Sequence, residues 1–463
     1  MSNNFNIIRE GSDSYKVSHW KQFPKNTEKV HLYLESRGGG DSVLFFGLQY
    51  IISQYLSGVV VTREKIDDAK KLYQMHFGTN DIFNEEGWEY ILAEHNGMLP
   101  IEIKSVKEGS LVSTKNVLLT VENTDPKCYW LPGWIETILL QVWYPTTVAT
   151  KSYQMKKIIL DYLIKSGDPN LIDFKLHDFG YRGSTTVESS AIGGAAHLVN
   201  FKGSDTLSAI TLLSDYYQEE CAGFSIPAAE HSTITSWGKD KEKEAYANML
   251  EQFPGMVAVV SDSYDIWNAI GKIWGDDLKE KVLNHEGTLV IRPDSGYPPD
   301  IVIKCLDLLG EKFGFTINKK GYKVLVDKVR LIQGDGISKE MIEQIQTKLD
   351  EHKWSGDNIA YGCGGALLQK MNRDTFKFAI KCSSIIVNGV ERDVFKDPIT
   401  DPGKKSKKGR MSLHYDSSAK KWQTKCGNEI DESSNMLETV FKNGVLTRSQ
   451  KLDEIRQLSS SFI

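Results

Sequence analysis

From about residue 170 the chain repeats one order of elements: a short apolar run, a polar or glycine-containing loop, then a helical stretch. The runs are FKLHDFGYRG (174–183), LVNFKGSDT (198–206), GFSIPAAEHS (223–232), VAVVSDSYD (257–265), TLVIRPDSG (288–296), VRLIQGDG (329–336) and NIAYGCGG (358–365). FAIKCSSIIVNG (378–389) reads as a last strand. Strands alternating with helices imply a parallel sheet, because parallel neighbours need a crossover, and a series this long can close into a barrel. Between the strands, Ser338 is a good N-cap for KEMIEQIQTKLDEH, whose Ile342, Ile345 and Leu349 share one face.

The first 150 residues mix signals. Apolar spacing predicts helices over 43–56 and 64–76, strands over 99–107 and 117–122, and a largely helical stretch over 134–165 interrupted near Pro145. With 40% hydrophobic and 25% charged residues, the chain can bury a sizeable core. No apolar run is long enough to span a bilayer. MSNNFNIIRE has no basic region followed by an apolar stretch, so no secretory signal is expected. A net charge of −5 argues against a general nucleic-acid binder. The six cysteines form no CxxC pair, which fits reduced thiols in a cytoplasmic protein better than a disulfide or zinc framework.

Barrel enzymes carry their catalytic groups at the C-terminal ends of the strands. The polar residues of this chain fall there: Asp178, Arg182, Asp205, Glu230, His231, Asp262, Asp265, Arg292, Asp294 and Asp335. Structural strand ends do not need so many charges. Gly362, Gly364 and Gly365 stand between a strand and a helix, where they serve either a tight turn or close approach of backbone N–H groups to a phosphate. Asp294 and Asp335 read either as Asx-turns or as partners of ribose hydroxyls and Mg²⁺. Arg292 and Arg330 read as ion-pair members or as anion ligands. His231 beside Glu230 lacks zinc spacing, and its place at a strand end favours acid–base or phosphate-acceptor chemistry. Phe179, three residues from Arg182, suits a flat ring bound near a phosphate as well as a core position. The lysine-rich KKSKKGR (404–410) is either a solvated loop or one that closes over phosphates.

Longer stretches carry a resemblance. DSYKVSHWKQFP (13–24), LPIEIKSVKEG (99–109), VENTDPKCYWLPGWIETILLQVWYPTTVAT (121–150), LHDFGYRG, PAAEHSTITSWGKDKEKEA (227–245), VVSDSYDIWNA, IRPDSG, IQGDG, GGALLQK and VFKDPITDPGKKSKKGRMSLH (394–414) are similar, in order, to the nicotinamide phosphoribosyltransferase family. The resemblance implies an α/β fold: the irregular (β/α) barrel of the type II phosphoribosyltransferases with a second α/β domain. It places the N-terminal part of that domain at 1–165, the barrel at 166–390 and a C-terminal segment returning to the first domain at 391–463. It implies a homodimer with shared active sites and a reaction of nicotinamide with 5-phosphoribosyl-1-pyrophosphate in NAD salvage. Mg²⁺ is the implied cofactor, held mainly by pyrophosphate, with ATP as co-substrate.

Residue by residue, the resemblance implies that Phe179 and, from the partner subunit, Tyr15 sandwich the nicotinamide ring. Asp205 accepts from the carboxamide, with Arg182 and Ser225 in the same pocket. Arg292, Asp294, Gly334 and Asp335 hold the ribose. Gly364, Gly365 and Arg373 bind the 5′-phosphate, and Arg37, Lys381 and Lys396 neutralise pyrophosphate. His231 is the phosphate acceptor from ATP, with Glu230, Asp262 and Asp265 as neighbours. Two positions depart from animal members: Ala379 and Cys363 replace serines, and loss of one hydrogen bond at Ala379 is worth about 0.5–1.5 kcal/mol. The alternatives are a nicotinate phosphoribosyltransferase, whose acid substrate should avoid Asp205, and a non-catalytic binding or signalling role.

Overall fold

The structure, a computed structural model, describes residues 5–400 and 404–463. The chain forms two compact units: one from residues up to Thr150 with Tyr216–Gln218 and Asn372–Phe462, the other from Lys151–Asp215 and Glu219–Met371. The main divisions between these units fall at 150/151 and 371/372. Residues 1–4 of the N-terminal stretch, and 401–403 of the segment 394–414, lie outside the described residues.

The first unit is built on an antiparallel sheet, seven-stranded among the described residues, in the order Val390–Asp393, Phe378–Val387, Thr27–Ser36, Val117–Asn123, Ile101–Ser105, Glu438–Lys442, Val445–Leu446. The segment expected to end the barrel, 378–389, is therefore a correction. Phe378–Val387 pairs antiparallel with Thr27–Ser36 from Phe378↔Ser36 to Val387↔Thr27. Its ten residues suit that long partner, whereas the barrel strands run to five at most. The helix expected over 43–56 also divides. Ser42–Leu44 is a strand paired with Leu111–Ser113, and the helix is Leu48–Tyr55. VLFF is apolar at every position, and periodicity cannot tell such a buried strand from a buried helix. The stretch 134–165 is two helices, Leu131–Leu140 and Trp143–Ser166, with Pro145 in the first turn of the second, where a missing N–H forfeits no bond.

Charge pairs fasten the lysine-rich loop to this unit. Lys407 pairs with Glu35, Lys408 with Asp393 at 3.4 Å, and Arg410 with Glu122 at 2.8 Å. Glu122 also meets Lys29 at 2.9 Å and His31 at 3.1 Å. Burial alone would raise its carboxyl, but His31, Arg410 and Lys29 outweigh that and hold it well below the usual range. Its contribution to stability is present above the unfolded value of about 4.3 and is lost as pH falls below it. Glu122→Ala, which leaves Lys29 and Arg410 around an empty site, should cost about 3–5 kcal/mol in urea unfolding. A loss under about 1 kcal/mol would mean that those cations find other partners.

The second unit holds a parallel sheet in the order Gly203–Ser204, Leu176–Asp178, Ile359–Cys363, Val329–Gln333, Leu289–Arg292, Val257–Val260. Two isolated parallel bridges, Gly203↔Phe224 and Ala228↔Ala258, carry the ring through 224–228 between its two edge strands. That segment forms no ladder strand, and Pro227 within it has no N–H to give. Inside, Ala258, Val290 and Ile332 pack together with Phe179, Ile226 and Ala360. This plug is the floor on which the strand-end residues stand. Ser338 caps Lys339–Glu351 as expected, accepting from Met341 N–H at 3.2 Å, and Ile342, Ile345 and Leu349 are buried.

Candidate active site

The site is assembled from strand register. His177 pairs across the sheet with Gly362 on one side and Gly203 on the other. Both glycines make room. A β-carbon on Gly362 would lie 2.1 Å from Phe179 Cε2, and one on Gly203 would lie 2.8 Å from His177 Nδ1. A β-carbon on Gly334 would lie 3.3 Å from Arg292 Cδ and 3.4 Å from both Asp294 Oδ1 and Phe179 Cε2. Phe179, Arg292, Asp294 and Gly334 therefore meet at one point of the barrel mouth. Arg292 adds a buried Nε without a hydrogen-bond partner, a donor free for an anion or hydroxyl.

Asp205 stands beside the aromatic face. Its Oδ1 accepts from His177 Nε2 at 2.8 Å and from Ser225 Oγ at 2.5 Å, and the His177 and Phe179 rings lie 5.0 Å apart. Burial pushes the Asp205 carboxyl up. The His177 bond and charge, with Ser225 and the Arg292 charge, outweigh it, so Asp205 lies below its ordinary value and carries a negative charge at neutral pH. Asp178 does a different job: buried, it accepts from Gly180 N–H at 2.7 Å and Thr206 Oγ at 2.7 Å, tying together the loops that bear Phe179 and Asp205.

His231 opens the short helix His231–Thr235, its side chain 45% exposed. Nδ1 lies 3.0 Å from Ser263 Oγ, and Nε2 lies 3.5 Å from Asp294 and 3.8 Å from Asp262. The Asp262 side chain is buried; Oδ2 accepts from Asp294 N–H at 2.8 Å and Ser295 Oγ at 2.6 Å, and Oδ1, the oxygen toward His231, has no hydrogen-bond partner. Ser263 was not singled out from the sequence, although it lies between the two aspartates of SDSYD. Two expected neighbours of His231 are engaged elsewhere. Asp265 caps the following helix, accepting from Trp267 and Asn268 N–H at 2.9 and 3.1 Å. Glu230 takes the Ser232 hydroxyl and faces the exposed Arg182 at 3.9 Å.

Gly364 precedes the one-turn helix Gly365–Leu368, and a β-carbon on Gly365 would meet nothing within 4 Å. Cys363 turns away from this loop: its thiol donates to the Ile337 carbonyl at 3.2 Å, and burial pushes it up to about 12. Asp335 is exposed, and its carbonyl accepts from Gln333 Nε2 at 3.0 Å. Arg330 is structural, donating to three carbonyls and pairing with Asp327 at 2.9 Å.

Within the first unit, Arg37, Arg373, Lys381 and Lys396 crowd together. Burial lowers the Lys381 ammonium, and the charges of Arg37, Lys396 and Arg373 lower it further against the opposing Glu136. One Arg37 guanidinium nitrogen is buried without a partner, while Nε donates to Glu35 at 3.0 Å. Such a group of cations calls for an anion. Ala379 faces Glu35 in the sheet of this unit. Tyr15, on the turn Ser14–Lys21, is 61% exposed.

Asp262, with its unpartnered buried oxygen, and Asp294 are hard donors that fit Mg²⁺ held chiefly by a bound phosphate chain. The three-residue cluster His95, Asp125 and Cys128, found in the first unit among the described residues, offers nitrogen and sulfur and does not suit that ion.

A parallel barrel with aromatic and charged side chains at its mouth, together with a second, antiparallel unit, defines the architecture of the type II phosphoribosyltransferases. The backbone is similar to that of a nicotinate-nucleotide pyrophosphorylase from Pyrococcus furiosus (TM-score 0.58, 16% identity, 99% of this chain and 96% of that one). It is also similar to human nicotinic acid phosphoribosyltransferase (TM-score 0.55, 15% identity, 99% and 93%). The model of the nicotinate phosphoribosyltransferase family matches residues 174–445, and that of the nicotinamide phosphoribosyltransferase N-terminal domain matches 6–103. The chain belongs to this family and is a pentosyltransferase. Over 96% of both chains it is 50% identical to a nicotinamide phosphoribosyltransferase from Xanthomonas campestris pv. campestris. A nicotinamide phosphoribosyltransferase from Acinetobacter baylyi is 33% identical over 96% of this chain and 95% of its own. Among the described residues no helix is long and apolar enough to cross a membrane.

Proposed function

We propose that the enzyme condenses nicotinamide with 5-phosphoribosyl-1-pyrophosphate to nicotinamide mononucleotide and pyrophosphate, in cytoplasmic NAD salvage, with ATP coupled through a phosphohistidine at His231. The observation that carries the choice of base is the ionised Asp205, held by His177 and Ser225 beside the Phe179 ring. An amide N–H can donate to Asp205, whereas a carboxylate there is repelled.

Departure of pyrophosphate builds positive charge on ribose C1 and negative charge on the leaving group. Arg37, Lys381 and Lys396 are the fixed cations for the second, with Arg373 and the N–H groups at Gly364 and Gly365 for the 5′-phosphate. Mg²⁺, when bound, adds charge neutralisation at the pyrophosphate. Arg292 and Asp294 orient the ribose, with Gly334 and Asp335 at its edge. Phe179 positions the ring so that its nitrogen faces C1, and no protein base is needed because that nitrogen carries a lone pair. The exposed Tyr15 supports a homodimer in which the partner covers the ring's other face, which sedimentation as a dimer would check.

Asp205→Asn tests the base choice. Removing a unit charge about 5 Å from the substrate in a dielectric near 20 is worth ~3 kcal/mol, so preference for nicotinamide over nicotinate should fall about a hundredfold. A variant that rejects nicotinate as strongly as the parent would remove Asp205 as the selector and favour a different reading of the pocket.

A further inference from the structure

We propose that His95, Asp125 and Cys128 form a binding site for one Zn²⁺ ion, which ties the helix Glu85–Glu94 to the turn that leads into Leu131–Leu140. None of the three is assigned to the proposed reaction. Each offers one ligand atom, and these atoms lie within 4.8 Å of one another, the only such group of histidine, cysteine and acidic side chains among the described residues. Imidazole nitrogen, carboxylate oxygen and thiolate sulfur make the mixed set that suits Zn²⁺. At Zn²⁺ bond lengths of about 2.0–2.3 Å, tetrahedral ligands stand about 3.3–3.6 Å apart. His95 Nε2 and Asp125 Oδ2 are 2.9 Å apart, so the pair needs to part only slightly to admit the ion. The lack of a CxxC pair does not exclude such a site, because only one of the three ligands is a cysteine.

The backbone holds the three in place. Asp125 and Cys128 are three residues apart, the spacing of the two ligands in a CxxC pair, and the Cys128 N–H donates to the Asp125 carbonyl at 3.0 Å. Asp125 Oδ1 accepts from the Lys127 N–H at 2.8 Å, which fixes the carboxylate with Oδ2 toward His95. The Tyr90 hydroxyl donates to Oδ2 at 3.0 Å, the kind of supporting bond that ligating carboxylates receive. His95 closes the helix Glu85–Glu94, its N–H donating to the Ile91 carbonyl at 3.1 Å. The thiol is a second, independent pointer to a ligand. Cys128 is fully buried, and its sulfur has no hydrogen-bond partner among the described residues. The thiols of Cys221, Cys363 and Cys382 instead donate to carbonyls at 3.4, 3.2 and 3.8 Å. The His95 and Asp125 side chains are 24% and 18% exposed, so an ion can enter past them. On binding, the Cys128 S–H proton leaves to solvent, and His95 turns its Nε2 lone pair to the metal with its proton on Nδ1. A water takes the fourth position. Thiolate, carboxylate and Zn²⁺ then sum to zero charge, which a largely buried site requires.

The test is titration of the whole chain, stripped of metal and kept reduced without added thiol, with Co²⁺ as the probe. Tetrahedral Co²⁺ on a thiolate gives a sulfur-to-metal charge-transfer band and strong visible bands. The parent should show both, saturating at one ion per chain, and one equivalent of Zn²⁺ should displace the Co²⁺. Cys128→Ala should lose the charge-transfer band. His95→Gln keeps an N–H donor for Asp125 but lacks the nitrogen ligand. Its Co²⁺ affinity should fall by more than the about 10–100-fold that loss of a supporting residue costs. Zn²⁺ should raise the Tm of the parent and leave that of His95→Gln unchanged. A parent without the charge-transfer band overturns the proposal and leaves the three side chains as a hydrogen-bonded cluster. A band that survives Cys128→Ala and disappears in Cys221→Ala also overturns it, since it reports adventitious binding at the exposed thiol. So does an unchanged Co²⁺ affinity in His95→Gln.

Discussion

Gly362→Ala is expected to lower nicotinamide kcat/KM by about a hundredfold while leaving the protein folded. The new methyl carbon would lie 2.1 Å from Phe179 Cε2 and 2.4 Å from Cδ2, distances no carbon pair sustains. Gly362 has no positive φ, so its backbone accepts alanine and the conflict is with the ring alone. The ring cannot slide easily. It packs on Ala258, Val290 and Ile332 below, and Gly334 and the His177 ring bound it at its sides. It must rotate, and the face offered to the base rotates with it. Stacking of a base on an aromatic ring is worth about 1–3 kcal/mol, and a misplaced substrate alone loses about a hundredfold in rate. Overpacking one methyl costs about 1–3 kcal/mol of stability, which a unit with this core should survive. The control is a double-mutant cycle. Once Phe179 is alanine, adding Gly362→Ala should do little more, because the two changes act through one ring. Near-parental KM in Gly362→Ala would mean that the Phe179 face is not where the base binds.

That effect shows what the sequence could and could not convey. Phe179 was visible as an aromatic at a strand end, because strand ends follow from the alternation of apolar runs and helices. Its neighbour Gly362 is far along the chain, and only the register His177↔Gly362 puts one beneath the other. Register is a relation between strands, and local composition does not encode it. The same holds for Gly203 under His177. Asp265 shows the opposite failure. It is an acidic residue at a strand end, but it sits one residue before a helix, and its side chain goes to that helix's N–H groups. The Asx-cap reading, available for every such aspartate, is the one that applies there. Segment 378–389 misled because an apolar strand reads alike in a parallel or an antiparallel sheet. What distinguished it was its length and the long partner Thr27–Ser36, and the partner's identity is again a matter of pairing. The closure of the ring through 224–228 rests on two bridges and left no strand-like pattern beyond a short apolar run.

His231→Ala is expected to reduce ATP hydrolysis to background and to remove the ATP-dependent gain in product yield, while ATP-independent synthesis remains measurable at high substrate. In the proposed function the two activities make different demands. Glycosyl transfer needs cations at the leaving group, an oriented ribose and a ring nitrogen, none of which His231 supplies. Phosphoryl transfer needs a nucleophile with one nitrogen unprotonated. Ser263 Oγ, 3.0 Å from Nδ1, can accept a hydrogen bond from Nδ1–H, which keeps the proton on Nδ1 and leaves the lone pair on Nε2. That Nε2 faces Asp294 at 3.5 Å and Asp262 at 3.8 Å, so the imidazole turns cationic beside two carboxylates as the bond from Nε2 to the γ-phosphorus forms and the bond to the β-phosphate oxygen breaks, releasing ADP. Asp294 also lies against Arg292 at Gly334, where the ribose is proposed to bind, so the phosphorylated histidine would place its charge next to the reacting sugar. ATP hydrolysis can then favour substrate capture and product formation without taking part in bond making at C1. Acid-labile label from γ-³²P-ATP should appear on the parent and vanish in His231→Ala; Ser263→Ala, which loses only the tautomer control, should keep the label but acquire it more slowly. Label persisting in His231→Ala would move the acceptor to another residue, and loss of ATP-independent synthesis with the fold intact would place His231 in the glycosyl transfer itself.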